Sequence, residues 1–206
     1  PPEATIFFAQ NHDQVGNRAL GDRLAKLVSR EKLRLAMVLL LLNPHIPLLF
    51  MGEETAAETP FLFFADWEGE TAHLTREGRR KEFAHFLAFS SPELRENIPD
   101  PCNEQTFKAS KLDWRSIEES SESNDFRSFT AELLRIRREK VVPLICSGVV
   151  SAKAELLATS GSGDGGIDVQ WRTATGEVLQ LMANFSEHPL LARSLVEGET
   201  LWGVEP

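Results

Sequence analysis

Between Gln10 and Arg18 the chain carries Gln10, Asn11, His12, Asp13, Gln14, Asn17 and Arg18, side chains that can only hydrogen-bond or titrate. An ionised aspartate accepts hydrogen bonds on both oxygens, and a histidine can donate one and change charge near neutrality. The cluster follows Thr5-Ile6-Phe7-Phe8-Ala9, an apolar run rich in β-branched and aromatic residues that predicts a buried strand. Gly16 and Asn17 supply turn chemistry after it. A dense polar cluster at the C-terminal end of a buried strand is where α/β folds place their chemistry. The plainer reading is a strand end whose polar groups cap the next helix.

The elements that would hold this cluster follow in order. Leu20 to Leu27 reads as a short helix or loop. Ser29 is a candidate N-cap for a helix reaching about Asn43, apolar on several faces and stopped by Pro44. Ile46 to Met51 forms a second short apolar run, followed by Gly52-Glu53-Glu54. Strand, helix, strand predicts a βαβ unit with a parallel pair. Adjacent strand residues point to opposite faces, so Glu53 and Glu54 are badly placed to flank one bond. One of them is expected at the rim of the site and the other in a structural hydrogen bond.

Thr59 to Asp66 is an aromatic-rich segment leading to Trp67. Phe64 and Trp67 can be a hydrophobic loop or a wall on which pyranose rings stack. Glu77 opens a predicted helix with Phe83, Phe86 and Leu87 on one side. Residues 90–124 hold three prolines and a polar Glu118–Asn124 stretch, which predicts an irregular surface excursion anchored by Trp114. Asp125 is the expected N-cap of a helix to about Lys140, buried at Phe126, Phe129, Leu133 and Ile136. Arg135, Arg137 and Arg138 in its last turns read as a solvated helix end. Pro143 is expected to stop it. From Leu144 onward, short alternating runs separated by Gly-rich turns predict an antiparallel β module with hairpins, with strands through Phe185 and further runs at Leu190–Ser194 and Val196–Trp202.

Taken as a unit, Phe8-Ala9-Gln10-Asn11-His12-Asp13 resembles the region after the seventh barrel strand of the α-amylase superfamily of glycoside hydrolases. Pro47-Leu48-Leu49-Phe50-Met51-Gly52-Glu53-Glu54 is similar to its eighth strand. Together, Asn11 to Arg18, Pro47 to Glu54, Pro60 to Asp66 and Arg76 to Phe83 resemble the maltooligosyltrehalose trehalohydrolase family, with the glucan-branching enzymes as near relatives. The resemblance runs from Thr5 to about Phe185. It implies α/β plus all-β architecture: the last βα units of a (β/α)8 barrel over residues 1–142, with an irregular excursion and a closing helix, then a small antiparallel β-sandwich domain over 143–206. It implies Asp13 as a catalytic residue that stabilises the transition state, and substrate binding by His12, Asn11, Gln14, Arg18, Glu53, Phe64 and Trp67. For Arg18, bracing Asp13 is the favoured role. Hydrogen bonds to sugar hydroxyls that strengthen as an oxocarbenium ion develops are the physical reason for such a pair.

The implied reaction is hydrolysis of the α-1,4 bond next to the trehalose end of maltooligosyl trehalose, or of a related α-glucan. The alternatives are branching of an α-glucan, and a non-catalytic glycan-binding module. The family's nucleophile and general acid, about 5–5.5 Å apart in a retaining enzyme, come from barrel strands upstream of the Asn-His-Asp strand. A full barrel needs about 250 residues. The expectation is therefore a C-terminal piece that is inactive alone.

The 206 residues are 42% hydrophobic and 26% charged, with a formal net charge of −9. That balance argues against a nucleic-acid partner, because no basic stripe is present to neutralise phosphates. The two cysteines, Cys102 and Cys146, make no disulfide framework and stand in no metal-ligand spacing, so neither a metal nor a cofactor is expected. The N-terminal residues do not form a signal peptide, and the longest apolar run, Leu35 to Leu42, is too short for a bilayer. A cytoplasmic location without membrane association is the expectation. An unpaired parallel edge leaves a homodimer through exposed surfaces open.

Overall fold

The chain is described by a computed structural model, which defines residues 2–157, 165–188, 190 and 196–203. Its elements are β1 (Ile6–Phe7), α1 (His12–Gly16), α2 (Leu24–Leu27), α3 (Arg30–Leu42), β2 (Ile46–Pro47), α4 (Gly69–Glu82), α5 (Pro92–Arg95), α6 (Glu104–Ala109), α7 (Trp114–Glu119), α8 (Ser121–Ile136), α9 (Val142–Cys146), β3 (Val149–Leu157), β4 (Gly166–Thr173) and β5 (Val178–Asn184). They fall into two units: Pro1–Ala9, Arg30–Leu48 and Ser128–Pro206 in one, and Gln10–Ser29 with Leu49–Arg127 in the other.

The first unit contains the expected parallel pair. β1 and β2 align Ile6 with Ile46 and Phe7 with Pro47. The strands are shorter than the apolar runs that encode them, and Ile6, Phe7 and Ile46 are exposed rather than buried. Among the described residues each is the other's only hydrogen-bonded strand neighbour. The α3 helix between them is buried at Leu33, Met37, Val38, Leu40, Leu41 and Leu42, in keeping with a pattern apolar on several faces. Its C-terminus is closed by Asn43, whose side-chain amide donates to the Leu39 and Leu40 carbonyls. Helix ends leave carbonyls without intrahelical partners. Arg137 supplies donors here, reaching Leu41 O at 2.8 Å, Asn43 O at 2.6 Å and His45 O at 2.6 Å. Arg137 is buried, which corrects the reading of it as part of a solvated helix end.

The α8 helix begins at Ser121, not Asp125, and Phe126, Phe129, Leu133 and Ile136 are all buried. Pro143 does not end the helical backbone. A π-helical turn over Arg137–Val141 leads directly into α9, where Pro143 occupies the first turn, a position that needs no N–H donor. The expected domain boundary near Val142 lies within this continuous helical stretch. Among the described residues the β module is a three-stranded antiparallel sheet ordered β3-β4-β5, with Trp171, Leu179, Leu181 and Ala183 buried. Buried Asp168 is held by the Gln180 side-chain amide at 3.0 and 3.1 Å. Residues 196–203 form no strand. The run expected at Leu190–Ser194 lies outside the described residues except for Leu190.

The second unit holds the polar cluster. Gly21 has φ +61, and a Cβ there would sit 2.5 Å from the Phe61 carbonyl oxygen; Phe61 N–H donates to Gly21 O at 3.0 Å. Glycine is needed to let these two backbones meet. Phe50, Phe61, Phe64 and Phe107 form an edge-to-face series with centroids 5.2, 5.6 and 5.3 Å apart.

Residues 90–124 are not an irregular excursion. They contain α5, α6 and α7, capped by the side chains of Ser91, Asn103 and Asp113. Leu62 N–H donates to Ser110 Oγ at 2.9 Å and Ala65 N–H to Pro101 O at 3.0 Å. Ile98 and Ile117 are buried, whereas Trp114 is 55% exposed, so the isoleucines anchor this segment and not the tryptophan. The α4 helix starts at Gly69, eight residues before the expected opening.

Candidate functional site

The chain leaves β1 and enters α1, a single helical turn. Asn11 is its N-cap: Oδ1 accepts from Gln14 N–H at 2.9 Å, which satisfies one of the turn's orphan donors. Val15 and Gly16 face inward and are buried, and Val15 N–H donates to Asn11 O at 3.1 Å. The turn therefore hangs from its apolar side. His12 and Asp13 project from the other side, with side chains 71% and 70% exposed and His12 Nε2 3.3 Å from Asp13 Oδ1. Gln14 and Arg18 are also exposed.

Two buried arginines hold the surrounding backbone. Arg79 Nη2 donates to Gly16 O at 2.5 Å and to Arg18 O at 3.0 Å, which fixes the exit from α1. Its guanidinium also pairs with Glu82 and lies against Phe63 and Phe83. Arg23 donates from Nε to Thr59 O and from Nη1 to Met51 O, 2.5 and 2.7 Å. Burial lowers the pKa of both guanidiniums. Neither residue stood out in the sequence, where Arg23 falls in a short helix or loop and Arg79 in a predicted helix. Asp22 pairs with Lys26 at 2.9 Å.

Glu53 is 4% exposed. Its Oε1 accepts from Gln10 Nε2 at 3.1 Å and its Oε2 from Phe50 N–H at 2.9 Å. Glu53 makes the structural hydrogen bonds expected of one member of the Glu53-Glu54 pair. Asn11 commits its side-chain oxygen to capping α1. Phe64 and Trp67 are both partly exposed, Phe64 at the end of the aromatic series with Phe107 and Trp67 two residues before α4. Only residues 11 to 14 are gathered into one turn.

Desolvation raises the Glu53 pKa, and the Phe50 and Gln10 hydrogen bonds and the Arg23 charge oppose that rise. A raised folded-state value means that the folded chain holds more protons than the unfolded chain between the two values. Stability contributed by this group therefore falls as pH rises from the ordinary carboxylate range through the raised value. Glu53→Gln removes that slope. The difference in melting temperature between the variant and the parent is expected to move in the variant's favour as pH is raised through this window, and pH-resolved thermal unfolding measures it.

Among the described residues, no group of three His, Cys, Asp or Glu side chains could hold a metal ion, and no helix is long and apolar enough to cross a membrane.

No protein-family model matches the chain. It is 44% identical over 174 residues to the malto-oligosyltrehalose trehalohydrolase of Deinococcus radiodurans, covering 83% of this chain and 26% of that one. The Rhizobium sp. (strain M-11) enzyme of the same name is 36% identical over 194 residues, covering 92% of this chain and 29% of that one. A crystal structure described as a putative alpha amylase from Salmonella typhimurium superposes with a TM-score of 0.82 at 43% identity, covering 98% of this chain and 32% of that one. The chain belongs to the α-amylase superfamily of glycoside hydrolases. It spans about a quarter to a third of the length of these relatives, and the match to the trehalohydrolases lies in their C-terminal part. His12 and Asp13 are exposed on the turn of α1, whose Val15 and Gly16 are buried.

Proposed function

We propose that the chain is the C-terminal part of a glycoside hydrolase that cleaves the α-1,4 bond next to the trehalose end of maltooligosyl trehalose, with β1, α3 and β2 as the last βα units of a (β/α)8 barrel and β3 to β5 as part of a C-terminal β-sandwich. The observation that carries this reading is the turn of α1, where His12 and Asp13 lie side by side with about 70% of each side chain in solvent, while Val15 is buried beneath them. The names of the relatives supply the substrate.

In this reading Asp13 accepts from ring hydroxyls and His12 donates to one. As the bond from the anomeric carbon to the leaving oxygen breaks, positive charge grows on the sugar, and those hydrogen bonds tighten. The general acid that protonates the leaving oxygen and the carboxylate that meets the anomeric carbon belong to segments outside these 206 residues. The test is product analysis of the full-length protein with maltooligosyl trehalose. Free trehalose is expected. New α-1,6 branches on an α-glucan, with no trehalose, would replace this reading with branching.

A further inference from the structure

The turn that carries His12 and Asp13 is entered through Gln10, and Gln10 is buried. Its amide is used at both ends. Nε2 donates to Glu53 Oε1 at 3.1 Å, and Oε1 accepts from the Leu24 N–H at 2.6 Å. Glu53 in turn accepts from Phe50 N–H. One directional chain of hydrogen bonds thus ties the residue before Asn11 to the start of α2 and to the loop after β2. Arg23, 1% exposed, closes the same cluster by donating to Met51 O and Thr59 O, with its guanidinium carbon 4.8 Å from the Phe50 ring centroid.

A carboxylate at position 53 is needed by the geometry of this chain. Two donors, one an amide and one a backbone N–H, converge on the side chain, and it must accept twice. A glutamine can accept with only one of its two ends. A simple packing role would be met more cheaply by an apolar residue, since a buried carboxylate carries a desolvation cost.

We infer that Glu53 is a positioning residue: through Gln10 it fixes the peptide entering the Asn11-His12-Asp13 turn, and so sets where the imidazole and carboxylate project. Its effect on catalysis rests on the trehalose-releasing reading; its effect on the turn does not.

The hydrogen-bond chain can be reversed without changing its length or charge. In the pair Gln10→Glu with Glu53→Gln, the new glutamine accepts from Phe50 N–H and donates to the new glutamate, which accepts from Leu24 N–H. The full-length protein is compared as parent, Glu53→Gln and the double exchange. Glu53→Gln is expected to lower kcat on maltooligosyl trehalose about tenfold or more, with KM within about twofold, because small misplacements of catalytic groups cost rate. The double exchange is expected to restore kcat to within about threefold. Hydrogen exchange at the Val15 and Gln14 amides, both paired with Asn11, reports the turn without substrate. It should quicken about tenfold in Glu53→Gln and return in the double exchange. Unchanged kcat and unchanged exchange in Glu53→Gln would overturn the inference, as would an exchange pair that recovers the melting temperature but neither kcat nor amide protection. A parent protein that releases no trehalose overturns the functional reading alone, and the amide exchange still decides this one.

Discussion

Asp13→Asn in the full-length protein is expected to lower kcat on maltooligosyl trehalose by about 10²–10³-fold, the range found when one preorganised stabilising group is removed from a site of developing charge. The substitution keeps the shape of the side chain. It removes the formal charge that answers the oxocarbenium ion and turns one acceptor into a donor, so that one of two hydroxyl contacts becomes donor against donor. Because the contact strengthens as charge develops, the loss falls on kcat more than on KM. The melting temperature should hardly move. Asp13 is 70% exposed, and exposed substitutions away from caps and buried networks stay within about 0.5 kcal/mol. Steady-state kinetics and thermal unfolding of the same preparation separate the two effects.

Arg23→Met is expected to give a large loss of stability. Arg23 is 1% exposed and supplies donors to Met51 O and Thr59 O. Methionine fills much of the volume but donates nothing, leaving two carbonyls without these bonds at about 1–3 kcal/mol each when buried. Arg23 also provides the cationic charge that offsets burial of the Glu53 carboxylate. Stripping one partner from a buried charged cluster typically costs about 3–5 kcal/mol, and that is the expected shift in unfolding free energy by denaturant titration. Arg23→Lys should fall between the two. It keeps the charge but loses the planar fork that reaches two carbonyls at once.

The parts that were readable in the residues are those fixed by local pattern. The α3 helix is apolar on several faces, and Leu33, Met37, Val38, Leu40, Leu41 and Leu42 are buried. The spacing of Phe126, Phe129, Leu133 and Ile136 marks the inner face of α8. The polar cluster at residues 11 to 14 announces itself by density, and the structure sets it on one exposed turn. What was not readable depends on partners far along the chain. Residues 90–124 read as an irregular excursion, yet Ser91, Asn103 and Asp113 are N-caps of three short helices, a signal masked by the prolines among them. Arg23, Arg79 and Arg137 are ordinary charges in sequence. Each becomes buried because carbonyls at the ends of other segments need donors, and no local periodicity records that need. Glu53 shows the same limit: its neighbour Glu54 is chemically identical, and only the fold decides which one turns inward.

The most direct test of the site is a crystal structure of the full-length protein, made inactive by removal of its general acid, with maltooligosyl trehalose bound. Asp13 and His12 within hydrogen-bond distance of hydroxyls on the glucose whose bond is cut is the predicted result. Sugar bound with both side chains still in open solvent, or seated on another face of the chain, would contradict it.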